Sequence, residues 1–310
     1  MRGLDVFVLV VLFLTLGLGI YILIQSLPGK TIEFEPKNNP LAVNSSEVYV
    51  NSAQFYPNMR YPDSNITYQI SKFCSDKKKA YIRLAFGILE SNTILNFNEV
   101  DDNGQINVLC ANINSDSGDS THFVAGEGGP VDVYLSGSYY VITSGKISLY
   151  RDEKCDKPQI ALHEILHALG FDHNGNPKSI MYPITSCDEE LDQYIIDDIN
   201  SIYSVRSAAD LKIVNASATK SGKYLEFVAQ VSNQGLKDAK EVTLHLYSDN
   251  GEIKSIPLGR IPMGSSKKIT GEYVSVPKEL TSVRMTVTIG AGESEISLSN
   301  NEISLDIVPA

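Results

Sequence analysis

Three of the chain's five histidines fall in the run His163-Glu164-Ile165-Leu166-His167-Ala168-Leu169-Gly170-Phe171-Asp172-His173. Imidazole is the commonest metal ligand among side chains. On a helix, His163 and His167 stand one turn apart on one face, so both can meet a single ion. Gly170 stands where such a helix should stop, because glycine enters the left-handed conformation without a Cβ clash. The chain can then fold back and bring His173 to the same ion. Three protein ligands leave the fourth position of a tetrahedral zinc for water, as in catalytic rather than structural sites. Glu164 follows the first ligand directly and is placed to take a proton from that water as general base. The ligands must be neutral imidazoles, so activity is expected to fall as pH drops. A lone histidine on an apolar helix is usually a packed core residue; three at this spacing point to one catalytic Zn2+.

A second segment, Ser179-Ile180-Met181-Tyr182-Pro183, follows after a short loop. Together the two segments resemble the metzincin clan of zinc endopeptidases, whose motif HExxHxxGxxH is followed by a methionine turn. Met-Tyr-Pro at the turn is most similar to the matrixins. The resemblance implies that Met181 packs beneath the ligands without coordinating. Astacin-like and serralysin-like members carry a zinc-binding tyrosine two residues after the methionine; here that residue is Pro183, so Tyr182 is not expected to ligate. By the same analogy Tyr182, Pro183, Ile184 and Thr185 should wall the pocket for the side chain after the cut. Gln159, one turn before His163, is either the polar floor of that pocket or a surface residue of the first turn. Matrixins usually hold a structural zinc and calcium ions in loops before the active-site helix. Here that region has one histidine, His122, among Asp116, Asp119, Glu127 and Asp132, which leaves Ca2+ open and does not supply a second zinc. No cysteine precedes Cys74, so the cysteine that keeps many matrixins latent has no counterpart.

The order of elements over 61-205 resembles the metzincin arrangement, which implies an α+β catalytic domain with a mixed twisted sheet and an active-site helix. Tyr61 to Ile70 looks like the start of the folded domain and resembles the first strand of matrixin catalytic domains, and Lys77 to Asn92 reads as a helix with Ala80, Leu84, Ile88 and neighbours on one face. Phe97 to Val100 and Ile106 to Leu109 alternate as strands. Ser115 to Gly129 reads as a polar, Gly-rich loop. Val131 to Leu135, Tyr139 to Thr143 and Lys146 to Tyr150 read as three more strands. The zinc helix is expected over Gln159 to Leu169, introduced by Pro158, and a last helix over Asp192 to Val205.

The four cysteines all fall in this region. An even number in an exported domain suggests two disulfides. Three pairings exist; Cys74 with Cys110 and Cys155 with Cys187 is the preferred one, because the second would clamp the methionine turn to the start of the zinc helix. Val6 to Ile24 carries no charge, and as a helix spans about 28 Å, close to bilayer thickness. Its length and the lack of an Ala-x-Ala site favour a membrane anchor at 6-24 over a cleaved signal peptide. Residues 1-5 would be a short cytoplasmic end and 25-60 a Pro/Asn/Ser-rich stalk, with both later domains outside the cytoplasm. If the apolar segment is cleaved, the protein is secreted. The net charge of −11, with Lys77-Lys78-Lys79 as the one basic run, argues against nucleic acid as a partner. That run reads as a solvated helix face.

Residues 206-310 change to period-two alternation, with clear strands at Leu225 to Val231, Val242 to Tyr247, Val283 to Ile289 and Ile303 to Ile307. Asp249-Asn250-Gly251 is a hairpin signal. About a hundred residues of short strands suggest an all-β immunoglobulin-like sandwich, and Val231-Ser232-Asn233-Gln234-Gly235 resembles cell-adhesion-related sandwich modules. Its ligand is unknown. The expected function is therefore zinc-dependent endopeptidase action on polypeptide substrates. The alternative is a catalytically silent metzincin scaffold on the cell surface that binds through its sandwich.

Overall fold

The computed structural model describes residues 30–35, 53–111, 125–184 and 186–309. The apolar segment 6-24, Asp116, Asp119, His122 and Thr185 lie outside them. No helix among the described residues is long and apolar enough to cross a membrane. Two hydrophobic cores form, one from Met59 to Tyr203 and one from Ala209 to Val287.

The chain begins with β1 (Lys30–Glu35), then β2 (Met59–Arg60), β3 (Asn65–Ile70), α1 (Asp76–Asn92), β4 (Asn96–Glu99), β5 (Ile106–Cys110), β6 (Gly126–Ser136) and β7 (Tyr139–Leu149). Next come α2 (Gln159–Ala168) and α3 (Gln193–Ser204). The first sheet runs β2-β7-β5-β3-β4, all parallel, with β6 antiparallel on the outer side of β7. It is a mixed sheet packed on helices.

Helix α1 starts at Ser75, whose Oγ accepts from Lys78 N, with Asp76 in the first turn complementing the helix dipole. The face that packs on the core is offset from the apolar stripe of Ala80, Leu84 and Ile88, of which only Ile88 packs partly against the core. Ile82, Ala85, Phe86 and Leu89 face the core, whereas Ala80 is exposed and Leu84 is 49% exposed. Two apolar stripes compete on this helix. The one carrying Phe86 wins because that ring stacks on Tyr68 at 3.9 Å and meets Phe97 at 4.8 Å. The same rotation buries Lys78, so the lysine run is not wholly a solvated face. Its side chain is buried and Nζ donates to the carbonyls of Leu149 and Tyr150.

Two strand readings also change. Gly126 to Gly129 is the start of β6, not loop. Tyr139 to Leu149 is one strand rather than two. Partners on both sides hold β7 straight through Ser144-Gly145, and register shifts around Asp132 absorb Pro130 in β6.

The stretch read as a stalk is in part structured. β1 pairs antiparallel with a sandwich strand, and residues 53–60 belong to the first domain, where Gln54 bridges Phe171 and β2 pairs β7. Arg60 is fully buried. Its guanidinium donates to the carbonyls of Tyr61, Ile202 and Val205 and lies over the Tyr203 ring at 4.4 Å. It thus caps the C-terminal end of α3 from the first strand of the domain. Burial lowers its pKa. Arg60→Ala leaves those carbonyls unsatisfied and should destabilise the domain by about 3–5 kcal/mol. Arg60→Lys should recover little, lacking the planar fork. Urea denaturation of the three proteins checks this.

The second unit holds β8 (Leu211–Ser221), β9 (Tyr224–Asn233), β10 (Ala239–Ser248), β11 (Gly251–Ile261), β12 (Ser266–Ser275), β13 (Ser282–Thr288), β14 (Glu302–Asp306) and β15 (Val308–Pro309). One sheet runs β1-β12-β9-β8-β15 and the other β11-β10-β13-β14. Alternate residues of β9, from Leu225 to Val231, point into the core. Ser248 pairs with Gly251, which has φ 121°, so Asp249-Asn250 is the tip of a tight hairpin. The two units touch through a small apolar cluster of Val141, Leu236 and Met263, with Ser136 Oγ donating to Gly235 O at 2.6 Å.

Candidate metal centre

The segment carrying His163 and His167 folds as it does because ten residues of apolar helix end in a Schellman turn. Gly170 takes φ 97°; its N–H donates to His167 O and that of Phe171 to Leu166 O. A side chain at Gly170 would also strike Met59, whose Cγ lies 2.6 Å from the position of a Cβ. At its other end α2 has Pro158 at the cap position, which offers no side-chain bond. Glu153, five residues earlier, supplies it: Oε2 accepts from Ile160 N at 2.9 Å.

The reversal at Gly170 brings His173 back over the helix. The three Nε2 atoms lie 3.0 Å (His167 to His163), 3.1 Å (His167 to His173) and 3.2 Å (His163 to His173) apart. His163 Nδ1 is 2.6 Å from Ile180 O and His167 Nδ1 is 2.7 Å from Phe171 O. A carbonyl can only accept, so both Nδ1 atoms carry the proton and both Nε2 atoms present lone pairs. Burial holds both rings neutral, lowering the pKa of His163 to about 4 and that of His167 in the same direction. Lone pairs converging this closely need a cation between them. In a tetrahedral site with Zn–N of about 2.0–2.1 Å, ligand nitrogens stand roughly 3.3–3.4 Å apart. The donor set therefore fits zinc with a small outward adjustment.

Glu164 is buried, 5% exposed, on the side of α2 that faces β6. Burial first, and then the Glu127 carboxylate, lift its pKa to about 8. A divalent cation among the histidines would draw that value down towards the ionised form a base needs. Strand β6 approaches so closely because its facing positions are glycines: a Cβ at Gly126 would lie 2.8 Å from Glu164 Oε1. Glu127, between two of them, accepts from the Tyr150 hydroxyl at 2.7 Å.

Met181 is fully buried in the core, and its turn closes through Tyr182 N to Ser179 O. The turn is tied to the three histidines twice. Ile180 O holds His163, and Asn174 N, just after His173, donates to Met181 O at 2.9 Å.

Residues 60–206 match the family model for matrixins, peptidase family M10. They are a matrixin domain. Residues 208–304 match the CARDB model, a cell-adhesion-related sandwich. The interstitial collagenases of Oryctolagus cuniculus and Sus scrofa are 28% and 26% identical over 159 residues, covering 47% of this chain. The chain spans 33% of the length of those curated relatives. Among solved structures, the CARDB domain of a Pyrococcus furiosus protein in complex with di-metal ions is 16% identical, at a TM-score of 0.29 over 33% of this chain and 90% of that one. A domain of a putative cell surface protein from Methanosarcina acetivorans is 17% identical, at 0.28 over 33% and 93%.

In the matrixin domain, Pro183 and Ile184 are exposed and Tyr182 is half-buried, following the methionine turn directly. Gln159 is not the surface residue that one reading allowed. It is 2% exposed, and Nε2 donates to Glu189 O at 2.8 Å, tying α2 to the loop before α3. The structure joins Cys74 to Cys110 and Cys155 to Cys187. The second disulfide spans that same gap beside Glu153 and Glu189. Sequence reasoning missed Glu153, Arg60, Phe55 and the glycines of β6. Of these only Gly126-Glu127-Gly128-Gly129 left a signal, a glycine cluster that also reads as loop.

Proposed function

We propose that the chain is a zinc-dependent endopeptidase that cleaves internal peptide bonds, with His163, His167 and His173 as ligands and Glu164 as general base. The observation that carries this reading is the convergence of three imidazole Nε2 atoms beside a buried carboxyl that is not one of the ligands. Zinc, when bound there, supplies polarisation of the scissile carbonyl and acidification of water. Glu164 takes the proton of the attacking water and returns it to the leaving amine. Its burial keeps bulk water from competing for that proton. Among the described residues β6 pairs only with β7, so its other edge offers backbone N–H and C=O groups to an extended peptide laid across α2. That mode of binding favours loops and unfolded segments over chain ends. Tyr182, Pro183 and Ile184 would flank the residue after the cut. Two disulfides support action in an oxidising compartment, outside the cytoplasm. For the CARDB domain a binding role is proposed.

The test is zinc content and cleavage of a denatured protein by the full chain, with and without a chelator. About one zinc per chain, cleavage lost to the chelator and restored by zinc, is the expected result. Stoichiometric zinc with no cleavage of any denatured substrate would instead favour a binding protein.

A further inference from the structure

The segment immediately before the matrixin domain is bound to the metal-binding turn rather than leading away from it. Gln54 and Phe171 form an antiparallel bridge. Phe55 N donates to Gly170 O at 2.9 Å, and Asp172 N donates to Ala53 O at 2.9 Å. The Phe55 ring stacks on the His167 imidazole, with centroids 5.8 Å apart and planes at 21°. Gln54 is buried and locks the other end of the segment: its Oε1 accepts from Met59 N and its Nε2 donates to Met59 O. Met59 in turn packs on Gly170. Tyr56 stacks on Tyr140 of β7 at 4.6 Å, fixing the strap to the sheet.

These contacts converge on groups that orient ligands. The carbonyl holding His167 Nδ1 belongs to Phe171, the residue bridged by Gln54. The Asp172 carboxylate accepts from His173 N, and the Asp172 backbone is bonded to Ala53. The partner of a ligating histidine fixes its tautomer and ring plane, and its loss typically weakens metal affinity 10–100-fold. Residues 170–173 otherwise run between the end of α2 and the loop to the methionine turn, so the strap gives them an added strand-like neighbour.

We propose that Ala53 to Met59 form a positioning strap for the metal centre, with Phe55 as a positioning residue for His167. On this view the competent centre begins upstream of residue 60, and trimming the chain to that point weakens metal binding instead of releasing activity. The proposal rests on the zinc reading above. Phe55 is 38% exposed, so its truncation leaves the core intact.

The experiment uses the full chain as wild type, Phe55→Ala and Phe55→Tyr. Zinc affinity is measured by competition with a chromophoric chelator, and the visible absorption of the cobalt(II)-substituted protein is recorded. Thermal unfolding of the metal-free proteins reports on folding. Phe55→Ala should bind zinc about tenfold more weakly and shift the cobalt band at an unchanged metal-free Tm, and Phe55→Tyr should restore both. Zinc uptake by Phe55→Ala as tight as wild type, with the same cobalt spectrum, would overturn the strap while leaving the zinc reading standing. Failure of the wild-type chain to bind either metal would overturn both. If Phe55→Ala unfolds, an unchanged affinity and spectrum in Gln54→Ala overturns the strap, and a weakened affinity with a shifted band supports it.

Discussion

Glu164→Ala is expected to lower kcat/KM for a peptide substrate by about 10²–10⁴-fold, the usual worth of a positioned general base. Zinc content and fold should be retained. The carboxyl is not one of the three groups that converge, so the ligand set is untouched. It lies 5% exposed between α2 and β6. Removing a buried ionisable group relieves a desolvation cost, so the metal-free variant should melt no lower than wild type. His167→Ala is the contrasting control, losing metal and activity together. Steady-state kinetics, metal analysis and melting curves on the three proteins separate the two roles. Full activity in Glu164→Ala would mean that another residue is the base.

The second large effect concerns a residue with no side chain. Gly128→Ala puts a Cβ against the Glu164 carbonyl oxygen and 2.9 Å from its carbonyl carbon and Cα. Those are helix backbone atoms and cannot swing aside. On its other side Gly128 is held in register with Ile147 of β7. The strand must therefore lift from α2 or the sheet must shift. Overpacking of this kind costs about 3 kcal/mol, a fall in Tm of roughly 6–12 °C for a domain of this size. Cleavage should fall further than stability explains, because the edge that receives substrate recedes from Glu164. Gly129→Ala is the matched control: nothing lies within 4 Å of its Cβ position, so it should change Tm by little. Equal melting of the two variants would show that β6 does not sit as closely on α2 as described.

The metal site was legible in the sequence because its geometry is local. A spacing of four on a helix and a glycine at the reversal already set the relation between His163, His167 and His173, whatever surrounds them. The sandwich was legible through β9, where each alternate residue is apolar. Strands β8, β11 and β12 were not, since Lys, Asn and Ser interrupt their alternation and they are held by register with neighbours instead. Which face of α1 is buried was not legible in the sequence for a related reason. Ala80, Leu84 and Ile88 and the stripe through Ile82 and Phe86 are both apolar, and only the positions of Tyr68 and Phe97 on β3 and β4 choose between them.

Composition and spacing along the chain thus gave a cluster of three histidines with an adjacent carboxylate, four cysteines and two domains, and the family resemblance added the methionine turn. The preferred cysteine pairing is the one the structure forms; which carbonyls orient the imidazoles and how near β6 comes to Glu164 were decided by the tertiary structure alone. The tertiary contacts that matter most join residues far apart in sequence: Phe55 with His167, Gly128 with Glu164, Arg60 with Val205. Their meeting is set by how the sheet packs on α2 and α3, and no local periodicity records that packing.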